Sequence, residues 1–334
     1  MRILLIGVGY RGYTPLYARA LSSLGHTVTT YIGLQQHDLK TRLRRLATVR
    51  LPNALGSQRD YLWSEQERFH GWLRRSRPAV DLALFANADR LANDDILHDL
   101  ASRRIATAVW LLDEVGTLPT SRLDFRSFDY HATFSAPQAP ILAARWGRPV
   151  DFVAQGFAPI EFSPRREPWA SALVLGAPYP SRRAAVHALA DASFLVTATG
   201  RAWAQHLESS AFIHVNGDVP LKESVAISSN ARMCVNGHRD RQAGLSPRVF
   251  EIAAAGGVLV DDNPRSPEFF EPGVEMLMWS KPEEVAEHAR RVQKDATAAA
   301  SMGQRARRRV VAEHSIDKRF VQLLNGWGFT GVGA

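Results

Sequence analysis

The chain has a single cysteine, Cys234, among its 334 residues. One thiol excludes an intramolecular disulfide framework and any cysteine-rich metal centre. Lysine is scarce: Lys40, Lys222, Lys281, Lys294 and Lys318 are all there is, so thirty-six of the 41 basic residues are arginine. No stretch approaches the ~18 uninterrupted apolar residues of a membrane span. The first apolar run, Ile3 to Val8, is too short for a signal-peptide core and meets Gly9 at once. A soluble, non-secreted, cytoplasmic protein is expected. His-Glu-x-x-His, Gly-x-Ser-x-Gly and Gly-x-x-x-x-Gly-Lys-Ser/Thr patterns are also missing, so no metal, no serine nucleophile elbow and no Walker-type loop are expected.

What is present is an ordinary globular composition, 46% hydrophobic and 22% charged, with a net charge of +8. At roughly 100–200 residues per domain, the length suits two domains. The basic balance admits a polyanionic partner. Arginine and alanine bias of the kind that accompanies GC-rich coding explains it equally well. The run Arg42, Arg44, Arg45 and Arg50 is read as a solvated face, with contact to an anionic acceptor as its sharper alternative.

Arg2 to Ile6 reads as a buried strand, Thr14 to Leu24 as a helix stopped by Gly25, and Thr27 to Ile32 as a second strand. A strand, helix and strand at this spacing make a parallel pair. Further strand-like runs are Asp81 to Phe85, Thr107 to Leu112 and Asp151 to Ala154. This alternation is the pattern of an α/β domain. The turn-rich segment from Gly156 to Pro164 interrupts it. Beyond, strands at Ala172 to Leu175, Phe194 to Thr197, Ala231 to Val235 and Val258 to Asp261 restart the alternation, with helices at Arg182 to Ala190 and Pro247 to Ala255. The end is expected to be helical from about Pro282 to Trp327. The boundaries expected are an N-terminal domain over 1–158, a linker over 159–170, a C-terminal domain over 171–316, and a final helix and tail over 317–334.

Gly7, Gly9 and Gly12 fit Gly-x-Gly-x-x-Gly after a strand. A dinucleotide site also needs an acid about 20 positions on, closing the second strand. Thr29, Thr30, Tyr31, Ile32 and Gly33 provide none. Gly9, Tyr10, Arg11 and Gly12 are therefore read as a glycine-lined turn at the carboxyl end of the first strand, facing an interdomain cleft. Asp113 ends the strand before it, where an acid is suited to serve as a base or to bind a sugar hydroxyl; a cap or turn role is equally open.

Gly176 begins a loop that leads to Arg182 near a helix start, a pairing suited to phosphate. The densest stretch runs from Asn236 and His238 through Gly244, Ser246, Arg248 and Glu251 to Gly256. Ser246 is a good N-cap and Pro247 a good first helical residue. Free N–H groups at this start would face a diphosphate, helped by Arg248. Glu251, one turn on, is suited to accept hydrogen bonds from a ribose diol. A plain capped core helix is the bland alternative, and His238 may equally be read as a satisfied structural histidine.

Gly244-Leu-Ser-Pro-Arg-Val-Phe-Glu251, then Ala-Gly-Gly-Val-Leu-Val-Asp261, then Glu268-Phe-Phe-Glu-Pro-Gly-Val-Glu275 resemble the CgeB-like (spore-maturation-protein-like) glycosyltransferases. The resemblance covers about residues 170–315. It implies an α/β protein of the GT-B type, with two Rossmann-like domains whose parallel sheets face a central cleft. The C-terminal domain would bind a nucleotide-sugar through Gly176, Asn236, His238, Gly244, Ser246, Arg248 and Glu251. The N-terminal domain would bind the acceptor, with Gly9, Tyr10, Arg11 and Gly12 on the acceptor side, and the last helix would cross back onto it. Asp113, Arg182 and Arg248 are the implied catalytic residues. Many members of the larger retaining group carry two glutamates seven residues apart; Glu251 matches the second, and the first position is Ala243. The expected activity is a metal-independent, retaining transfer with no cofactor beyond the sugar nucleotide. The acceptor is left unidentified; the basic charge leaves an anionic one, such as DNA, lipid or a phosphorylated metabolite, open. A nucleotide-sugar epimerase and a non-catalytic nucleotide-binding module remain as alternatives.

Overall fold

The structure is a computed structural model, and it describes residues 1–9, 11–33, 61–114, 123–160, 170–239 and 243–329. Tyr10 and the run Arg42, Arg44, Arg45 and Arg50 lie outside the described residues.

The chain divides into two compact units, Met1–Ala154 with Arg319–Ala334, and Gln155–Lys318. In the first, β1 (Arg2–Val8), β2 (Thr27–Gly33), β3 (Leu82–Ala86), β4 (Ala106–Leu111), β5 (Tyr130–Thr133) and β6 (Asp151–Phe152) form one sheet in the order β2-β1-β3-β4-β5-β6. Every pairing is parallel. The helices are α1 (Tyr13–Ser23), α2 (Tyr61–Ser76), α3 (Asp94–Ser102) and α4 (Gln138–Trp146). A parallel sheet covered on both faces needs strands apolar throughout, not alternately. Ile3, Leu4, Leu5 and Ile6 are accordingly all fully buried, as are Leu82, Ala83, Leu84 and Phe85. Asn93 caps α3 by accepting the Ile96 N–H at 2.9 Å.

In the second unit β7 (Ala170–Leu175), β8 (Val196–Thr199), β9 (Ile213–Asn216), β10 (Ala231–Asn236), β11 (Leu259–Asp261) and β12 (Met276–Met278) are ordered β12-β11-β10-β7-β8-β9, again all parallel. Helices α5 (Pro180–Asp191), α6 (Leu221–Ser228), α7 (Pro247–Ala255), α8 (Pro282–Lys294) and α9 (Ala296–Glu313) accompany them. The last helix is α10 (Ile316–Gly326), and its Phe320 ring meets Trp110 edge-on at 5.8 Å in the first unit.

Three features differ from the expectations. The single C-terminal helical stretch is broken into α8, α9 and α10. Asp295 accepts the Ala298 N–H at 2.8 Å and so starts α9 afresh. Before α10, the Ile316 N–H donates to the Phe157 carbonyl at 2.8 Å, which pulls the chain out of helix. Second, α1 begins at Tyr13, one residue earlier than expected, after Gly12 at φ 77°. Third, β5, β9 and β12 are strands of three or four residues and carried no reading; polar residues interrupt the apolar run in β5 and β9.

Each sheet has one place where strand order reverses. In the first unit it lies between β1 and β3; in the second, between β7 and β10. Connections leave to opposite faces there, and the crevice outside the carboxyl ends of the strands is where open α/β sheets bind ligands.

Candidate nucleotide-sugar site

The crevice of the second unit is built on Gly176, which follows β7 at φ 101°. That left-handed backbone favours glycine, and space demands it as well. A Cβ at Gly176 would stand 2.6 Å from Arg182 Nη1 and 2.8 Å from Arg248 Nη2. Two guanidiniums, one from α5 and one from α7, thus converge on one bare stretch of backbone. Arg182 is only 3% exposed. Its Nη1 donates to the Ala177 carbonyl at 2.9 Å, and its Nη2 approaches Asn236 Oδ1 at 3.5 Å. Burial and the neighbouring Arg248 push the Arg182 guanidinium down to about 9. The physical content is a buried positive charge with too little negative charge around it, which an incoming anion relieves.

Buried polar atoms left without a hydrogen bond mark what the crevice lacks. Among the described residues these include Arg182 Nε, Arg248 Nε, Ser246 Oγ and Thr199 Oγ1. Ser246 was expected to cap α7 with its side chain. It does occupy the N-cap position, with extended backbone, but its hydroxyl makes no capping hydrogen bond. Pro247 has no N–H and the Val249 N–H donates to the Ser246 carbonyl at 3.2 Å, so it is the Ser246 hydroxyl that this helix start leaves without a partner. Glu251 follows in the second turn and is 5% exposed.

The opposite wall is tied to this helix start through His238. The ring Nδ1 faces Asp262 Oδ1 at 2.8 Å, and the His238 backbone N–H donates to the same oxygen at 2.9 Å. The Ser246 N–H points at Nε2 at 3.5 Å. A donor facing Nε2 and an acceptor facing Nδ1 assign the proton to Nδ1. Behind it, Asn236 Nδ2 donates to Asp261 Oδ1 at 2.7 Å, and the Ser266 hydroxyl donates to Oδ2 of the same carboxylate. Asp261 is fully buried, and burial raises its pKa.

His238, Asp261 and Asp262 bring three ligand-type atoms within 4.8 Å of one another, a grouping that no sequence spacing disclosed. The hydrogen bonding does not suit a cation there. A metal on Nδ1 would force the proton to Nε2, against the Ser246 N–H, and would displace the Asn236 and Ser266 donors from Asp261.

Supporting residues come from the segments that follow β7, β8 and β10. The Trp203 indole is fully buried and donates to the Gly176 carbonyl at 2.6 Å. The Tyr179 ring sits below the Arg182 guanidinium carbon at 4.8 Å, and Arg239 lies 5.3 Å from the same ring. Of the expected residues, the second unit gathers Gly176, Arg182, Asn236, His238, Ser246 and Arg248 in this crevice, with Gly244 and Glu251 on the flanking loop and helix. Tyr179, Thr199, Trp203, Arg239, Asp261 and Asp262 went unread. The acids were readable, since Val-Leu-Val-Asp261-Asp262 closes a strand as Asp113 does.

The first unit presents a different crevice. A Cβ at Gly7 would meet Thr14 Oγ1 at 2.1 Å, so this glycine lets α1 pack on β1. Gly12 supplies the left-handed turn into α1, Arg11 precedes it at φ 50°, and the exposed Gly9 donates its N–H to Gly33 at 2.9 Å. Asp113 stands exposed beyond β4. Asp89 opens a short helical turn beyond β3; burial first, and then the Asp113 charge, raise its pKa against the lowering effect of Arg90.

No helix among the described residues is long and apolar enough to cross a membrane. No curated protein matches the chain by sequence. Solved structures do match its fold. Sucrose-phosphate synthase from Thermosynechococcus elongatus superposes with a TM-score of 0.65 at 14% identity, over 99% of this chain and 100% of that one. HepE of Anabaena in complex with UDP-glucose gives 0.64 at 12%, over 98% and 100%. A DNA-modifying β-glucosyltransferase, studied with and without uridine diphosphoglucose, gives 0.62 at 11%, over 98% and 100%. The two parallel six-stranded sheets are those of GT-B glycosyltransferases. Residues 182–325 match the model of a family described as glycosyl transferase-like.

Proposed function

We propose that the chain transfers a sugar from a nucleotide-sugar to an acceptor hydroxyl, as the CgeB-like resemblance implies. The observation that carries this reading is the meeting of Arg182 and Arg248 at Gly176, with buried nitrogens that have no hydrogen-bond acceptor. In such a transfer the bond between the sugar carbon and the diphosphate oxygen breaks, and negative charge builds on the departing diphosphate. Fixed cations and a helix start aimed at that charge are the largest electrostatic aid available. Here Arg182, Arg248 and the start of α7 supply it. Glu251 accepts hydrogen bonds from the ribose hydroxyls. Asn236 and His238 hold the crevice floor, and Gly244 gives the backbone room for the nucleotide. In the N-terminal unit, Gly9, Arg11, Gly12 and Asp113 contact the acceptor.

Two guanidiniums at the leaving group do what a divalent cation does elsewhere, so the transfer is read as metal-independent. The retaining stereochemistry rests on the resemblance. The acceptor class rests on the chain's charge, and an anionic acceptor is the reading it supports.

The test is a screen of UDP-, GDP-, TDP- and ADP-sugars for release of nucleoside diphosphate, in the presence of EDTA. Uridine sugars come first, because HepE and the β-glucosyltransferase were both solved with one. Release from one donor class in EDTA is expected. Interconversion of sugars without an acceptor would identify an epimerase, and binding with no turnover a silent module.

A further inference from the structure

Trp203 holds the backbone on which the two guanidiniums meet. It is fully buried in the short helical turn beyond β8, Trp203–Gln205. Its indole Nε1 donates to the Gly176 carbonyl at 2.6 Å. On the same side, the Gly176 N–H donates to the Thr199 carbonyl at 2.8 Å. Gly200, at φ 146°, leaves room for this arrangement, since a Cβ there would stand 2.5 Å from the Gly176 oxygen. Donor, acceptor and bare neighbour all come from the β8 side of β7. Turning the Gly176 carbonyl away would leave a buried indole N–H unpaired.

A trans peptide carries its C=O and the following N–H on opposite edges. No peptide among the described residues is cis. In the sheet, β7 has β8 on one side and β10 on the other. With the Gly176 carbonyl held toward β8, the Ala177 N–H is turned to the β10 side, into the crevice at the switch point. The other polar group of Ala177 agrees with this direction. Its carbonyl accepts from Arg182 Nη1 at 2.9 Å, and Arg182 Nη2 approaches Asn236 Oδ1 of β10 at 3.5 Å. The Ala177 N–H itself meets no acceptor among the described residues.

We propose that Trp203 is a positioning residue, which holds the Gly176 peptide so that the Ala177 N–H donates to the same phosphate group as Arg182 and Arg248. The inference rests on the reading of the β7/β10 crevice as a nucleotide-sugar site, and deepens it by one backbone donor. A main-chain N–H fixed in advance loses no side-chain freedom on binding. It also needs no reorganisation as charge builds on the leaving group. A peptide turned over would instead present a carbonyl oxygen to the incoming anion, and the indole hydrogen bond opposes that turn.

The experiment is calorimetry on the full chain with UDP, inorganic pyrophosphate and uridine. Trp203→Phe keeps a ring in the core and removes the N–H. It should weaken UDP and pyrophosphate about tenfold, the scale of one hydrogen bond to a charged group, and change uridine less than about twofold. A purely structural Trp203 would weaken uridine as much as UDP. Replacing Ala177 by lactic acid turns its N–H into an ester oxygen and leaves every side chain in place. It should reproduce the same selective loss, and it decides the matter if the Trp203→Phe chain does not fold. Equal weakening of UDP and uridine by Trp203→Phe, or an unchanged pyrophosphate affinity in the ester, would overturn the proposal. Arg248→Ala separates the two levels. If it weakens UDP and pyrophosphate while the ester changes neither, the anion site stands and only the role of Trp203 falls. If no substitution alters any probe, both fall.

Discussion

The two sheets share a strand pattern, a topological switch and parallel pairing throughout, yet their crevices carry different chemistry. At β7 and β10 the residues beyond the strands are Gly176, Arg182, Asn236, His238 and Arg248, and positive charge gathers around bare backbone. At β1 and β3 they are Gly9, Asn87 and Asp89, with Asp113 beyond the next strand, β4. There burial, with a smaller push from the Asp113 charge, raises the pKa of Asp89. The fold offers the same crevice twice, and only the side chains placed in it decide which takes an anion. In the proposed transfer, the acids of the first crevice would favour a hydroxyl-bearing group at the strand ends, with any negative charge of the acceptor away from Asp89 and Asp113.

Arg248→Ala tests the cation-lined side most severely. Removing one of two guanidiniums from the leaving group should lower kcat by 10²-fold or more, by analogy with the loss of one stabilising donor at an anionic transition state. Steady-state turnover of the accepted donor, with and without the substitution, measures it. A change confined to KM would assign Arg248 to ground-state binding only.

Glu251→Ala should weaken nucleotide binding by roughly 1.5–3 kcal/mol, the scale of hydrogen bonds to a charged group. Calorimetry with UDP and 2′-deoxy-UDP sharpens the assignment. The wild type should discriminate between them, and the variant should not. Discrimination that survives in the variant would move the ribose contact elsewhere.

On the acid-lined side, Asp89→Asn should raise the melting temperature at pH 7. A carboxyl raised above its ordinary value of 3.8 is destabilising when ionised, so the penalty is present above the folded pKa and absent below the unfolded one. The gain from Asn should therefore shrink as the pH falls toward about 3.9. A pH-independent gain would mean that charge is not the cause.

The smallest effect is expected at the opposite, amino-terminal end of the same strands. Arg2 donates to Asp81 through its backbone N–H at 2.8 Å and through its side chain, and holds the carboxyl down to about 2. Its contribution is present above the unfolded value near 3.8 and is lost as pH falls through about 2. Both side chains are exposed, so Asp81→Asn should change the melting curve little at neutral pH and remove only a small acid-side slope.

Much of the second crevice was legible because its signals are local. Glycine after a strand, proline at a helix start and an arginine one residue on are readable within a short window. The backbone of Ser246 followed that rule. Its hydroxyl did not, because whether a capping hydrogen bond forms depends on what else the crevice holds. Long-range partners were less legible. Tyr179 and Arg239 are 60 residues apart, and nothing in either neighbourhood names the other. His238 read as ambiguous because Asp262, its partner, comes from a different strand. In the first unit the glycine pattern was legible as a turn, but the packing of Thr14 on Gly7 was not. Asp89 was passed over because its distinction is burial beside Asp113, which no spacing encodes.

The lone thiol carries a practical consequence. Cys234 lies inside β10, fully buried, donating weakly to the Ser228 carbonyl at 3.4 Å, and burial pushes it up to about 12. Only the thiolate reacts readily with alkylating reagents, so the native protein is chemically silent toward them while folded. A cysteine introduced on an exposed helix of either unit becomes the sole handle for a fluorophore or spin label, with no need to engineer the native one away. Modification of the unsubstituted chain then becomes a clock for opening of the second sheet, since the reagent reaches Cys234 only when β10 comes apart from its neighbours.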